Sequence, residues 1–422
     1  MEQPDAGLRG YLQIFRVPGS RGFVAASLVG RMPMATLSLA TVLLVDHVTG
    51  SYAVAGAVAA VGAVFYALLV PQLGYLVDRH GQRRVLRPLA WAFGAAGALF
   101  LTAALSETPD WLLYVAGAAF GATVPPISAL VRARWSHLAG QDGGPPLRTT
   151  YSFESVADEM IFVVGPLLVS VVVLLHPAYG VATVATFGAV GGLLLAAQRR
   201  TEPPVLPRRT TGTRAISVRG LRLMCVMYVC IAAMFAGHEL STISFVDEHG
   251  DTWMVGAILA TYAVGSAVGG LWYGAHRWVI SLDRRFLLAL VAMVVGVAPL
   301  WAMPSVYALW AFSLFSGLLI APGIIAGYSL VREGVPPESL TEGMTWLATA
   351  VGLGKALGVA VAGLVIEAHG ARWGYAFSLG CGAGAVLVGL LSVRQLRVMA
   401  SGPDPRARTA GLSRPPAPHQ PS

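Results

Sequence analysis

Two basic side chains stand where a charge is expensive. Arg31 and Lys355 each fall inside an otherwise apolar run of the chain. Arg31 is ten residues past Arg21, which at a helical rise puts it about 15 Å along its run. Lys355 is 13 residues past Glu342, about 20 Å along another. Carboxylates accompany them: Glu154, Asp158 and Glu159 at the start of a fifth apolar run, Glu239 in a seventh, and Glu342 at the head of an eleventh. Glu154 and Asp158 are four apart and share a helix face, while Glu159 is turned away by about 100°. A charge in the hydrocarbon core of a bilayer costs several kcal/mol on most scales, so each of these residues is a candidate for binding or proton transfer. Burial and a neighbouring base act on a carboxylate's proton affinity in opposite senses, which suits proton coupling. The competing reading is a static salt bridge between helices. His238, beside Glu239, reads either as a relay or as a structural histidine, and Trp346 as a ring that can stack on a substrate.

The elements that position these residues follow from composition. Of 422 residues, 55% are hydrophobic and only 12% charged, against about 25% charged in soluble domains. Mean hydropathy is +0.66. Most soluble enzymes, any disordered protein and any nucleic-acid-binding arm are excluded. Three Cys exclude a disulfide scaffold and lack metal-ligand spacing, so neither cofactor nor metal is expected. Twelve apolar runs are long enough to span a bilayer: 22–45, 52–73, 86–105, 111–131, 154–175, 178–197, 221–245, 253–274, 286–303, 306–331, 344–366 and 373–393. In lipid such runs must be helices, so the fold class is all-α, a polytopic membrane protein.

Basic residues set the orientation. With residues 1–21 in the cytoplasm and sides alternating, 26 of the 29 Lys and Arg lie in cytoplasmic segments and only Arg372 lies outside. Both termini are therefore expected in the cytoplasm. The use of Arg over Lys points to a high-GC bacterial genome and a cell-membrane location. No cleavable signal peptide is evident. The domain plan is a short N-terminus at 1–21, six helices over 22–197, a linker over 198–220 with Pro203, Pro204, Pro207, Arg208 and Arg209, six helices over 221–396, and a disordered tail over 397–422. The halves echo each other at an offset of 200: Gly74 and Gly274, Arg84 and Arg284, Leu130-Val131-Arg132 and Leu330-Val331-Arg332. Pro125-Pro126 in the fourth run, Gly165-Pro166 in the fifth and Pro322 in the tenth mark candidate helix bends.

One loop carries a specific motif. Between the second and third runs stands Gly74-Tyr75-Leu76-Val77-Asp78-Arg79-His80-Gly81-Gln82-Arg83-Arg84. Gly74 permits close helix approach, and Gly81 a tight turn. Asp78 can accept from the N-terminal amides of a neighbouring helix or pair with Arg. Arg83 and Arg84 hold the loop near anionic headgroups. The loop resembles the G-x-L-x-D-R-x-G-R/K-R/K signature of the major facilitator superfamily, with Gln82 standing where that family usually has a base. The resemblance implies the twelve-helix fold of two six-helix repeats, and a cytoplasmic latch between halves made by Asp78, Arg79 and Arg83. At the repeat position Asp78 becomes Trp278, so the latch is not duplicated. Gly165-Pro166 is similar to part of an antiporter signature, but Ile161, Val169 and Ser170 depart from it. The basic residue that many proton antiporters carry early in the fourth span is missing.

The expected function is secondary transport of a small organic solute by alternating access. No nucleotide-binding loop is present, so energy would come from an ion gradient, with protons first. Similarity of the first five spans to the drug-efflux branch favours export. Uptake, or a non-transporting sensor or assembly protein on the same fold, is the alternative. The expected partners are a small-molecule substrate, protons and the lipid bilayer, with no nucleic acid and with a monomer as the working unit.

Overall fold

The computed structural model describes residues 14–106, 109–141, 144–205, 214–249, 254–276 and 278–401. Among them are twelve helices long and apolar enough to cross a membrane. These are α1 Ser20–Thr49, α2 Val54–His80, α3 Gln82–Leu105, α4 Asp110–Ala139, α5 Leu147–Val173 and α6 Pro177–Ala197, then α7 Arg219–Glu248, α8 Met254–Ala275, α9 Leu282–Ala302, α10 Val306–Gly334, α11 Pro337–His369 and α12 Ala371–Leu391. A shorter helix, α13, covers Val393–Ser401. Each apolar run corresponds to one long helix.

Several helices outrun their apolar stretch. The fifth run starts at 154, yet α5 starts at Leu147. Its first turns are polar because they join a neighbour: Arg148, Thr149 and Ser152 all donate to backbone carbonyls of the α8 end, at His276, Gly274 and Gly270. Glu154 is thus two turns inside the helix rather than at its mouth.

Three helices are interrupted. In α1, Arg31 separates Ser20–Gly30 from Met32–Thr49, with Pro33 in the first turn of the second piece. In α4, Thr123–Pro126 separates Asp110–Ala122 from Ile127–Ala139. Pro125 and Pro126 have no N–H to give the ladder, so the helix stops and restarts there. In α10, Leu319 separates Val306–Leu318 from Ile320–Gly334, just ahead of Pro322. By contrast, Gly165-Pro166 lies within one continuous helix. Gly165 is a contact point: a Cβ there would come 2.8 Å from the Thr36 methyl of α1.

The same packing pattern occurs twice. In the first six helices α1 packs on α5 and α6, α2 on α4, and α3 on α6; in the second six α7 packs on α11 and α12, α8 on α10, and α9 on α12. The offset of 200 in the sequence is therefore a repeat in space. Small residues make the α2–α4 and α8–α10 crossings tight, with Gly121 against Gly62 and Gly317 against Tyr262 and Ser266. The two repeats meet mainly through α2 with α11 and α5 with α8.

Two connections differ from expectation or fall outside view. Residues 397–401, expected in a disordered tail, complete α13, because Leu396 and Met399 share a face and are buried. Met399 fits against Gly220 and Gly334, where a side chain would leave no room. The rest of that tail lies outside the described residues. In the segment joining the repeats, short 3-10 turns form at Arg199–Thr201 and Ala215–Ser217. Pro207, Arg208 and Arg209 lie outside the described residues.

Candidate functional site

The interruption of α1 delivers Arg31 to the interior. Its guanidinium is 1% exposed. One nitrogen donates to Asp158 Oδ1 at 3.0 Å, and another to Glu154 Oε2. Both carboxylates come from one face of α5, as their four-residue spacing requires. A second base joins them: Arg132 Nη2 donates to Asp158 Oδ2 at 2.7 Å. Trp135 Nε1 donates to Glu154 Oε1 at 2.6 Å, and Ser128 Oγ to Asp158 Oδ1 at 3.2 Å. Two cations thus face two anions, each carboxylate with a further neutral donor. Such compensation is what allows four charges to stay buried. The cluster belongs to α1, α4 and α5, but it reaches across: the Arg132 guanidinium carbon lies 4.1 Å from the Tyr328 ring centroid on α10.

The repeats are clasped at one end. This arginine-rich end carries Arg79, Arg83, Arg84 and Arg332 where α2 meets α3 and α10 approaches α11. Asp78, in the last turn of α2, accepts from the Thr341 N–H at 3.1 Å and the Glu342 N–H at 2.8 Å. These amides belong to the first turn at the start of α11, so the carboxylate both caps that helix and meets its positive end. Gly74 makes the approach feasible, since a Cβ there would lie 3.0 Å from the Glu342 Cα and meet the Thr345 side chain. Gly81 has φ +90° and turns the chain into α3. The Arg83 N–H donates to Glu202 Oε1 at 2.8 Å, and the Arg214 guanidinium carbon lies 5.2 Å from the Tyr75 ring. Of the two proposed latch arginines, Arg79 is exposed and Arg83 half-buried; neither side chain makes a hydrogen bond or ion pair among the described residues. Arg84 is likewise exposed. Of these charged side chains of the motif, Asp78 is the one that hydrogen-bonds across the repeats among the described residues.

On the other side of the same end the chemistry is inverted. Arg148 Nη1 at the start of α5 donates to the His276 carbonyl at 2.8 Å, just past the end of α8. A cation there suits the negative end of α8. Trp278, in the place corresponding to Asp78, donates to the Tyr273 carbonyl at 3.0 Å instead.

Further along, the contacts between repeats thin out. Thr349 Oγ1 of α11 donates to the Ala67 carbonyl of α2 at 3.2 Å. Ser266 Oγ of α8 donates to Glu159 Oε1 at 3.1 Å. Beyond these, added Cβ atoms at Gly56, Gly256 or Gly352 would meet nothing within 4 Å. At this level Lys355 Nζ lies 3.6 Å from Glu239 Oε2, each side chain half exposed. The ammonium also sits 5.5 Å from the Phe162 ring of α5. His238 is buried and stacked on Tyr262 with ring centroids 4.4 Å apart.

The candidate residues therefore divide. Arg31, Glu154 and Asp158 form one cluster. Lys355 and Glu239 pair elsewhere, Glu159 faces α8, and Glu342 is buried at the head of α11, where its amide meets Asp78. Arg132, Trp135, Tyr328 and Arg134 were not picked out from sequence. Arg132 and Arg134 read as loop cations because the fourth apolar run ends at 131, whereas α4 runs on to Ala139. Arg134 donates to Gln82 Oε1 at 2.7 Å and to the Leu195 and Gln198 carbonyls and Thr201 Oγ1. Gln82 also donates to the Leu130 carbonyl at 3.0 Å. That explains the departure from the motif: a base at 82 would face Arg134. The paired Leu-Val-Arg at 130–132 and 330–332 was the available signal. No metal-binding cluster occurs among the described residues.

Twelve spanning helices in two like-packed repeats, with compensated charges buried within the first, fit a multi-pass membrane transporter rather than an enzyme. The family model described as Major Facilitator Superfamily matches residues 23–278. The chain belongs to that superfamily. No curated protein sequence matches it. Solved structures share the fold at low identity. A bacterial homologue of the iron transporter ferroportin, in an outward-facing state, has a TM-score of 0.70 at 14% identity, covering 88% of this chain and 98% of its own. The human organic anion transporter MFSD10 (TETRAN) has a TM-score of 0.69 at 15% identity, covering 88% and 99%. The proton:xylose symporter XylE has a TM-score of 0.64 at 13% identity, covering 90% and 100%.

Proposed function

We propose that this chain is a proton-coupled exporter of a small organic solute, working as a monomer by alternating access between two six-helix domains, 22–197 and 221–396. The observation that carries the reading is the one-ended clasp. Asp78 holds the α11 amides and Arg148 the end of α8, while polar contact between the repeats ends at Glu159–Ser266 and Thr349–Ala67. A carrier closed at one end and parted beyond its middle is one of the two states that alternating access needs. By the distribution of Arg, the clasped end faces the cytoplasm of a bacterial cell, which makes this the outward-open state. The buried Arg31–Glu154–Asp158–Arg132 cluster is the candidate for proton handling, because protonating either carboxylate would unbalance it, and protonating Asp158 would loosen Arg132, which already lies against Tyr328 of the other repeat. The test is transport in vesicles with an imposed pH gradient, screened against a panel of organic solutes. Gradient-driven movement of a panel member, abolished by collapsing the gradient, supports the reading. Movement indifferent to the gradient removes proton coupling, and accumulation in the opposite sense removes export.

A further inference from the structure

The level at which the repeats part holds one ammonium and two carboxylates. Lys355 faces Glu239 at 3.6 Å, and Glu159 has only the Ser266 hydroxyl as a hydrogen-bond partner among the described residues. Among the described residues no guanidinium or ammonium comes within ion-pair distance of Glu159, although Lys355 is within electrostatic reach of it. The Arg31 cluster below is balanced; this level is not, and its excess is negative. It is also accessible, since both Lys355 and Glu239 are half exposed.

Buried polar groups beside it lack partners. Both ring nitrogens of His238 and the hydroxyl of Tyr262 are buried and make no hydrogen bond among the described residues. His238 is 1% exposed and adjoins Glu239 in sequence. Tyr262, one turn before Ser266 on α8, is within electrostatic reach of both Glu159 and Glu239. Groups of this kind are nearly always satisfied, by water or by a ligand. Three sides of the level are therefore built: carboxylates from α5 and α7, unsatisfied donors and acceptors from α7 and α8, and the Phe162 ring from α5.

Lys355 shows what suits the place. Its ammonium takes a carboxylate on one side and an aromatic face on another, at 3.6 Å and 5.5 Å. Those are the contacts by which proteins hold organic ammonium groups. The pair is long for a hydrogen-bonded ion pair and only half buried, so it is weak and displaceable.

Building on the transport reading, we propose that this level is the substrate site and that its substrate is an organic cation, an amine with an apolar body. The amine sits between Glu159 and Glu239, its body lies along Phe162 and Tyr262, and Lys355 is a tethered competitor that it pushes aside.

Three probes with one phenyl body and different charge test this on the full-length protein in detergent: phenethylamine, phenylalanine and 3-phenylpropionate. Equilibrium binding is expected to favour the amine over the anion by about tenfold or more, as one lost or gained charge contact commonly does. Glu159→Gln and Glu239→Gln should each weaken amine binding, and Lys355→Gln should tighten it. Preference for the zwitterion or the anion overturns the proposal, as does absent amine binding or amine binding indifferent to both carboxylate variants. If a Gln variant at 159 or 239 elutes as aggregate, Lys355→Gln decides alone: weakened or unchanged amine binding overturns the proposal. Amine binding without vesicle transport would leave cation recognition standing and remove the transport reading. Transport of another solute without amine binding would do the reverse.

Discussion

Asp158 is shared by two arginines, and that sharing sets what single substitutions do. Replacing Arg31 by Ala leaves Glu154 with Trp135 as its one remaining donor and Asp158 with Arg132 and Ser128. Removing one partner from a buried pair costs about 3–5 kcal/mol. Arg31→Ala is therefore expected to abolish transport and also to lower the melting temperature of the purified protein. Pairing it with Glu154→Gln should recover much of the stability without transport. Recovery of transport in the double variant would show that the charges only hold helices together. At position 82 the expectation runs against the family pattern. Gln82→Arg sets a cation against Arg134 and withdraws the Oε1 acceptor, so it should destabilise by about 1–3 kcal/mol, read as a lower melting temperature. An unchanged melting temperature would remove the account given for Gln82. The sequence already singled out Arg31, Glu154 and Asp158 because charges in apolar runs are conspicuous. It hid Arg132 and Arg134 because a base just past an apolar run looks like any loop cation.

Helix ends make polar contacts between the repeats. The Asp78 carboxylate holds two amides of α11, and an amide side chain there keeps one acceptor but loses the charge that the helix end attracts. Asp78→Asn is accordingly expected to slow vesicle turnover by about tenfold with little change in KM, since each 1.4 kcal/mol on a conformational barrier is tenfold in rate. Wild-type turnover would deprive the clasp of its role. Gly74 sits where α2 touches α11, so Gly74→Leu should spring the same end open. Cysteine placed at Thr349 ought then to react faster with a polar thiol reagent added from that side. Loop chemistry made Asp78 legible, because a Gly-flanked acid between spanning helices has few partners other than a helix end or a base. Which of those it takes depends on where α11 begins. The apolar run starts at 344, but α11 reaches back to Pro337 through residues too polar to count as a span.

For the molecule as a whole, the closed end should be lockable. A Cβ at Gly270 of α8 would lie 3.6 Å from a methyl of Val156 on α5, so in a background with Cys225, Cys230 and Cys381 replaced, the pair Val156→Cys and Gly270→Cys is expected to cross-link on oxidation. Transport should stop and return on reduction, while a cysteine at Lys355 stays reactive throughout. Cross-linking that leaves transport intact would mean the repeats do not rock about this contact. The twofold pattern of packing was readable from twelve runs and a few matched residues at an offset of 200. What the apolar pattern could not carry is which end is clasped, because that rests on polar contacts between helices far apart in sequence. The charge layout has an electrical corollary. The first six helices hold a four-charge cluster that sums to nothing, and the second six hold Lys355 against Glu239. Glu159 is then, among the described residues, the mid-depth carboxylate left over once the ion pairs are matched. An empty carrier would drag it through the membrane field, where one elementary charge is worth about 2.3 kcal/mol per 100 mV, whereas a carrier holding a proton or a monovalent cation there would move as a neutral body. Voltage should therefore act on the return of the empty protein and spare the loaded stroke.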